Sequence, residues 1–167
     1  VSREDGSGTR GAFVELTGVE DDNGDNTTVE AEIANRTDAV LTTVAGNEAA
    51  IGYVSLGSLN DTVKAVTVDG VEATVDNVKS GDYTLSRPFN IAAKGEPTGV
   101  AADFIGFIMS ADGQAIVGED YITVNDNAEA FTSDGSSGHI TVGGSSSVSP
   151  VMGQLVGAYK AVYPNAQ

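Results

Sequence analysis

The sequence contains no cysteine and no tryptophan, and a single histidine among its 167 residues. The lack of cysteine excludes disulfide bonds and thiolate metal sites. His139 lies beside a Ser-Gly stretch, and no serine and carboxylate are patterned around it as a catalytic triad requires. No cluster of metal-ligand residues is apparent either. The sequence therefore predicts a protein without a metal, a cofactor or a catalytic activity.

Basic residues and long apolar runs are also scarce. The chain has eight lysines and arginines and 24 aspartates and glutamates, which gives a formal net charge of −16. Such a surface repels nucleic acid and anionic membranes. No apolar run approaches the ~18 residues that a membrane span needs, and the chain shows no signal-peptide pattern. With 40% hydrophobic residues, the composition is that of a globular domain with a core.

Residues 1–13 are the most informative stretch, and they predict the end of a strand, a glycine turn and a helix start. Ser7 and Thr9 are hydroxyl residues of the kind that cap a helix. Gly6 and Gly8 let backbone N–H groups approach a ligand without a side chain in the way. The unpaired N–H groups and the dipole of a helix start favour a bound anion.

Charged residues in the same stretch strengthen the prediction of an anion site. Arg3 supplies a two-pronged donor that suits phosphate or carboxylate. Asp5 is close enough in sequence to hold Arg3 in place, or to accept a proton from a bound anion. Two nucleotide-binding motifs are excluded, because Ala12 stands where a P-loop needs lysine and a dinucleotide fingerprint lacks its third glycine. A helix cap without a ligand remains the alternative.

The Arg-x-Asp-Gly-Ser-Gly-Thr motif of residues 3–9 resembles the phosphate-gripping segment of the substrate-binding proteins of ABC-type phosphate importers. The resemblance implies that Arg3, Ser7, Gly8 and Thr9 contact inorganic phosphate. It also implies the type II periplasmic-binding-protein fold, an extracytoplasmic location, an ABC membrane permease as partner and no catalysis.

Four further stretches carry the resemblance. Residues 50–57, 83–91 and 103–117 are similar to the carboxy-terminal half of that family. Residues 139–150, read as a strand, a glycine turn and a serine-capped helix start, resemble the family's first strand-helix unit. That unit implies a second set of hydroxyl and N–H donors to the anion from Ser145, Ser146 and Ser147.

The order of these stretches predicts a circular permutation. Residues 1–124 correspond to the family's carboxy-terminal half, residues 125–138 to a flexible linker, and residues 139–167 to its amino-terminal unit. A stretch of the family that carries a serine and an aspartate of the phosphate site has no counterpart, which predicts weaker binding and poorer rejection of sulfate. The alternative function is an engineered or rearranged assembly fragment without a ligand, forming a homodimer or pairing with a complementing chain.

The expected fold is an α/β three-layer αβα sheet, permuted and incomplete. Apolar periodicity and capping residues predict helices over residues 9–16, 38–45, 75–79, 100–109, 112–118 and 151–163, with Thr37 and Thr74 as caps. Short apolar runs predict strands over residues 51–55, 63–68, 87–93, 121–124 and 139–142. Helices that alternate with short strands are typical of a layered α/β sheet.

An acidic loop over residues 20–26 nearly matches a calcium-binding loop. Asp21, Asn23, Asp25 and Glu32 fall at ligand positions 1, 3, 5 and 12. Asn26 occupies the position that requires glycine, and no helix precedes the loop. A solvated acidic loop without calcium is therefore expected.

Overall fold

The structure, a computed structural model, describes all 167 residues and divides into two units. Unit 1 comprises Val1–Pro88 together with Ser145–Ser147, and unit 2 comprises Phe89–Gly144 together with Val148–Gln167. The short Ser145–Ser147 segment thus belongs with the first half of the chain, although more than fifty residues separate it from Pro88 in sequence.

Unit 1 is built around two parallel strands, each followed by a helix. Its elements in chain order are β1 (Ser2–Arg3), α1 (Gly8–Thr17), β2 (Glu20–Asp21), β3 (Gly24–Asp25), β4 (Ile33–Ala34) and α2 (Thr37–Ala45). β1 pairs with β4 in parallel, and β2 pairs with β3 in an antiparallel hairpin. Parallel strands need a crossover, which α1 and the hairpin supply. Because α1 and α2 follow neighbouring parallel strands, both helices begin at the same edge of the pair.

Local capping chemistry determines where the shorter helices of unit 1 begin and end. Ser7 is the N-cap of α1, and Gly18 closes that helix in the left-handed conformation that glycine tolerates best. Thr74 caps α3 (Val75–Ser80) by accepting a hydrogen bond from the N–H of Asn77. One turn of 3₁₀ helix, Leu56–Ser58, lies between α2 and α3.

Unit 2 is a cluster of three helices, α4 (Val100–Met109), α5 (Ala111–Asp120) and α6 (Ser149–Val162). Its core is rich in aromatic rings, and it includes Phe104, Phe107, Leu155 and Tyr159. Phe131, from the predicted linker, packs edge-on against Phe107 at 5.3 Å between ring centroids. That part of the linker is therefore packed against the core of the unit.

A buried carboxylate ties the same linker to the helices of unit 2. Asp103 on α4 accepts hydrogen bonds from the hydroxyls of Tyr159 and Ser133 and from the N–H of Asp134. Burial pushes the pKa of Asp103 upward, but these hydrogen bonds outweigh it and hold the pKa below the usual 3.8. Burial and the neighbouring carboxylate raise the pKa of Tyr159.

No single helix is long and apolar enough to cross a membrane; α4 and α5 taken together, with a 61° bend between them, meet the length and composition criteria.

The helix predictions are confirmed, with ends shifted by one or two residues. The 100–109 helix has the predicted bounds, and α5 and α6 begin one or two residues earlier than expected. Thr37 is the first residue of α2, and Arg36 holds the cap position without a side-chain hydrogen bond. Pro150 lies in the first turn of α6, where a missing N–H costs nothing.

The predictions of strands at 51–55, 63–68, 87–93, 121–124 and 139–142 are wrong for this structure, in which none of these runs forms a strand. Isolated bridges join Val68 to Val71 and Gly138 to Ala166. The apolar side chains that favoured strands are exposed at Ile51, Val66, Phe89, Ile91 and Val124. A strand requires a neighbouring backbone to pair with, which an apolar run does not reveal.

The acidic loop forms the β2–β3 hairpin, and its carboxylates are bonded to the chain itself. Asp21 accepts from the N–H of Asn23, Asp25 accepts from Arg10, and Glu32 accepts from Thr43. These carboxylates are therefore engaged with neighbouring groups of the chain.

Candidate functional site

Arg3 lies at the centre of the candidate site in unit 1. It is the last residue of β1 and is only 2% exposed. Its guanidinium forms a two-pronged pair with the neighbouring Glu4, with Nε 2.8 Å from Oε2 and Nη2 2.9 Å from Oε1. Such charge-assisted pairs are among the stronger hydrogen bonds in proteins. The pair therefore fixes the guanidinium plane at the end of the strand.

Neutral oxygens surround the rest of this guanidinium. Nε of Arg3 also approaches the carbonyl of Ala34 at 3.2 Å, Nη1 donates to Thr37 Oγ1 at 3.3 Å, and Nη2 donates to Ser146 Oγ at 3.2 Å. The Thr37 and Ser146 hydroxyls are 3.2 Å from each other. The partners of the guanidinium other than Glu4 are thus all neutral oxygens.

The start of α1 contributes a second group of hydroxyls. Ser7 is buried, and its Oγ accepts from the N–H of Arg10 at 3.4 Å. Thr9 Oγ1 lies 2.6 Å from Ser147 Oγ, and Ser147 is completely buried. Ser145 Oγ in turn accepts from the N–H of Ser147 at 3.3 Å. The serine segment thus connects both to α1 and to Arg3.

Most of the predicted site residues are brought together. Arg3 and Thr9 each contact the serine segment, through Ser146 and Ser147 respectively. Ser7 and Gly8 lie at the start of α1, where no atom lies within 4 Å of the place that a Cβ on Gly8 would occupy. The backbone at Gly8 is therefore open to a neighbouring group.

The predicted contact between Asp5 and Arg3 is not formed. The Asp5 side chain is 97% exposed and pairs with Arg10 at 2.7 Å, while Glu4 holds Arg3. Asp5 lies outside β1, in the turn before α1, where Arg10 of that helix binds its carboxylate. Glu4 points toward the guanidinium, and Asp5 points away from it.

Sequence reasoning missed Thr37 and Tyr53. Thr37 was assigned as a helix cap, and its hydroxyl instead faces Arg3. The Tyr53 hydroxyl lies 2.7 Å from Ser2 Oγ and accepts from the N–H of Arg3 at 3.1 Å, while its ring stacks on Phe13. The available signal for Thr37 was its hydroxyl at a helix start, the feature that marked Ser7 and Thr9. No local pattern marks Tyr53, because the residues that it contacts lie 40 to 51 positions away in the sequence.

The electrostatics of the site combine one ion pair with two helix starts. The hydrogen bond from Arg3 holds the pKa of Glu4 below its usual value, so the pair carries no net charge at neutral pH. The amino ends of α1 and α2 add partial positive charge at the same edge of the strand pair. Hydroxyls, a guanidinium and free helix N–H groups together suit a compact oxyanion.

No group of three or more histidine, cysteine, aspartate or glutamate side chains is placed to hold a metal ion.

Comparison with known proteins gives a consistent assignment. A family model described as the PBP superfamily domain matches residues 1–112. The phosphate-binding protein PstS 2 of Streptococcus agalactiae serotype V is 49% identical over 168 residues, covering 97% of this chain and 57% of the relative. The chain therefore spans somewhat more than half the length of that curated relative.

Two solved structures are similar as well. A phosphate-binding protein of a phosphate ABC transporter from Streptococcus pneumoniae TIGR4 superimposes with a TM-score of 0.81 at 46% identity, covering 99% of this chain and 66% of that one. A putative phosphate ABC transporter substrate-binding protein from Clostridium perfringens, with bound phosphate, gives a TM-score of 0.68 at 45% identity, covering 74% of this chain and 51% of that one. These likenesses confirm the α/β fold class, and the chain belongs to the PBP superfamily, among the relatives of the phosphate-binding proteins of ABC transporters.

Proposed function

We propose that this chain binds inorganic phosphate as part of an ABC-type uptake system and carries out no catalysis. The observation that carries the proposal is the buried guanidinium of Arg3, which is surrounded by the hydroxyls of Thr37 and Ser146 at the edge where two helices begin. The names of the relatives, which are phosphate-binding proteins, support the same ligand.

The chemistry of the donors fits a tetrahedral oxyanion. A guanidinium donates to two oxygens at once, and the N–H groups at a helix start donate to others. Hydroxyl groups both donate and accept, so they serve the bare and the protonated oxygens of phosphate alike. Because the chain carries a net charge of −16, long-range repulsion opposes the approach of an anion, and binding depends on these short contacts.

Partners and location follow as part of the proposal. A substrate-binding protein of an importer works outside the cytoplasm and delivers its ligand to a membrane permease. A homodimer or a complementing chain stays a prediction, which light scattering with and without phosphate measures. Nucleic acid is not an expected partner, since the charge of the chain repels it.

The order of the segments is part of the proposal too. One alignment with a natural streptococcal protein runs through 97% of this chain, so the alternative of an engineered fragment is not favoured. That the order is permuted relative to other members of the family stays a prediction.

Isothermal titration with phosphate and with sulfate tests the proposed function. We expect the parent to bind phosphate and Arg3→Met to lose at least about tenfold in affinity, the equivalent of one charge-assisted hydrogen bond. Arg36→Met is the matched control, since Arg36 forms an exposed pair with Asp38 and does not contact the site.

Circular dichroism of each variant verifies folding before titration. Phosphate affinity that is equal in the parent and in a folded Arg3→Met variant would contradict the proposed site. The absence of phosphate binding by the parent would contradict the proposed function itself.

A further inference from the structure

The carboxylate of Glu4 occupies the edge of Arg3 that an oxyanion would be expected to use. Its two oxygens accept from Nε and Nη2 at 2.8 and 2.9 Å, as two oxygens of a bound phosphate would. The Arg3 side chain is 3% exposed and that of Glu4 is 33% exposed. Glu4 is thus the solvent-facing member of the pair.

We propose that Glu4 is a built-in competitor for the bound anion, whose carboxylate leaves the Nε–Nη2 edge of Arg3 when an oxyanion takes that edge. This inference rests on the proposed function, because it concerns the same site and the same ligand. Glu4 then determines how tightly the site binds its anion, a role that the sequence pattern did not indicate.

The remaining hydrogen-bond partners of Arg3 carry no charge, so Glu4 alone balances the charge of the guanidinium. Ala34 contributes a carbonyl oxygen, and Thr37 and Ser146 contribute hydroxyls, all of which are neutral. Glu4 is therefore the single negative charge among the hydrogen-bond partners of the guanidinium. Without that charge, a buried cation is left uncompensated, and it attracts an anion more strongly.

A second geometry makes a different prediction. If Glu4 stayed beside Arg3 while the ligand bound, its carboxylate would accept a hydrogen bond from a protonated phosphate oxygen. Sulfate has no proton to donate at neutral pH, so a fixed Glu4 would repel sulfate and favour phosphate. Comparing the two anions therefore separates a carboxylate that leaves from one that stays.

The experiment is isothermal titration of the parent, Glu4→Gln and Glu48→Gln with phosphate and with sulfate at one ionic strength and pH 7. We expect Glu4→Gln to bind both anions at least about tenfold more tightly than the parent. Glu48 is exposed and far along the chain, so Glu48→Gln removes the same unit of charge and leaves both affinities within about twofold.

A folded Glu4→Gln variant that binds phosphate no more tightly than the parent overturns the inference. A gain for sulfate with a loss for phosphate also overturns it, in favour of the fixed carboxylate. If Glu4→Gln does not fold, Glu4→Asp replaces it, because the shorter side chain weakens the two-pronged pair, and an unchanged affinity again overturns the inference. If neither the parent nor Glu4→Gln binds any oxyanion, both the proposed function and the inference are wrong. If the parent binds phosphate but Glu4→Gln binds it no more tightly, the inference alone is wrong.

Discussion

The hydroxyls of Thr9 and Ser147 lie 2.6 Å apart, although 138 positions separate the two residues in the sequence. Thr9 belongs to α1, and Ser147 belongs to the short serine segment of unit 1. This contact joins the two sequence stretches that were predicted to bind the same anion.

Double substitution measures the energy of that contact. Thr9→Val, Ser147→Ala and the double variant should show a coupling of about 0.5–1.5 kcal/mol in the free energy of unfolding, the usual range for one neutral hydrogen bond. Urea denaturation at pH 7 provides the measurement. Strictly additive effects of the two substitutions would mean that the hydroxyls do not interact in solution.

Arg10 should matter more for stability than an exposed arginine. Its Nη1 donates to the carbonyl of Arg3 at 3.0 Å and to Asp5, and its Nε donates to Asp25 at the β2–β3 hairpin. We expect Arg10→Gln to lower Tm by about 2–4 °C, because the hydrogen bonds that connect the hairpin and the end of β1 through this side chain are lost. Thermal unfolding followed by circular dichroism measures the change.

The control for Arg10→Gln is Arg36→Gln, which breaks an ion pair whose two side chains are both well exposed. Exposed pairs contribute little, so its Tm should stay within about 1 °C of the parent. Equal losses in the two variants would contradict a special role for Arg10.

Gly52 lies where a side chain does not fit. A Cβ at this position would come within 2.8 Å of Val40 Cγ1 and 3.1 Å of Val44 Cγ2 on α2. Gly52→Ala should therefore destabilise the chain by about 1–3 kcal/mol through overpacking. Gly11→Ala is the matched control, because Gly11 lies on α1 with nothing within 4 Å, and alanine there should stabilise by about 0.5–1 kcal/mol.

Urea denaturation distinguishes these two glycine substitutions by the sign of the change. A Gly52→Ala variant as stable as the parent would show that α2 moves away from this segment at little cost.

The hydrogen-bonded carboxylate of Asp103 should make the free energy of unfolding fall at acid pH. Because its folded pKa is held below 3.8, its contribution is present above about pH 4 and disappears as the pH falls through the folded value. At pH 7, Asp103→Asn should cost about 1–3 kcal/mol, since an amide cannot accept all three hydrogen bonds. The difference in unfolding free energy between parent and variant should shrink as the pH falls below about 4.

Denaturation curves at several pH values test the Asp103 prediction. Asp61→Asn, at an exposed position in a turn of unit 1, is a control for the general effect of removing one carboxylate. A gap between parent and Asp103→Asn that stays constant down to pH 2 would contradict the assignment.

Local signals in the sequence predicted the helices, because a helix start is determined by a few neighbouring residues. Ser7 and Thr74 act as caps as expected, and Gly18 and Gly81 end their helices in the left-handed conformation. Strands depend instead on a partner from elsewhere in the chain. Of the predicted extended segments, the one ending at Arg3 pairs, because β4 lies beside it.

The candidate site was partly predictable for a similar reason. Arg3, Thr9 and the serine segment carry donor groups whose residue types are informative on their own. The difference between Glu4 and Asp5 depends on the turn after β1, which brings Asp5 to Arg10 and leaves Glu4 beside Arg3. Thr37 depends on the pairing of β4 with β1, which brings α2 to the same edge. Neither relationship can be derived from composition or spacing alone.

The pairing of β1 with β4 has a thermodynamic consequence. The donors around Arg3 come from three stretches, near residues 3–9, at residue 37 and at residues 145–147, and the loops between them close only when the chain folds. In the unfolded chain these donors are not brought together, so an anion that binds at this site has affinity for the native state alone. Any such ligand must raise the midpoint of unfolding with the logarithm of its concentration, whatever its chemical identity.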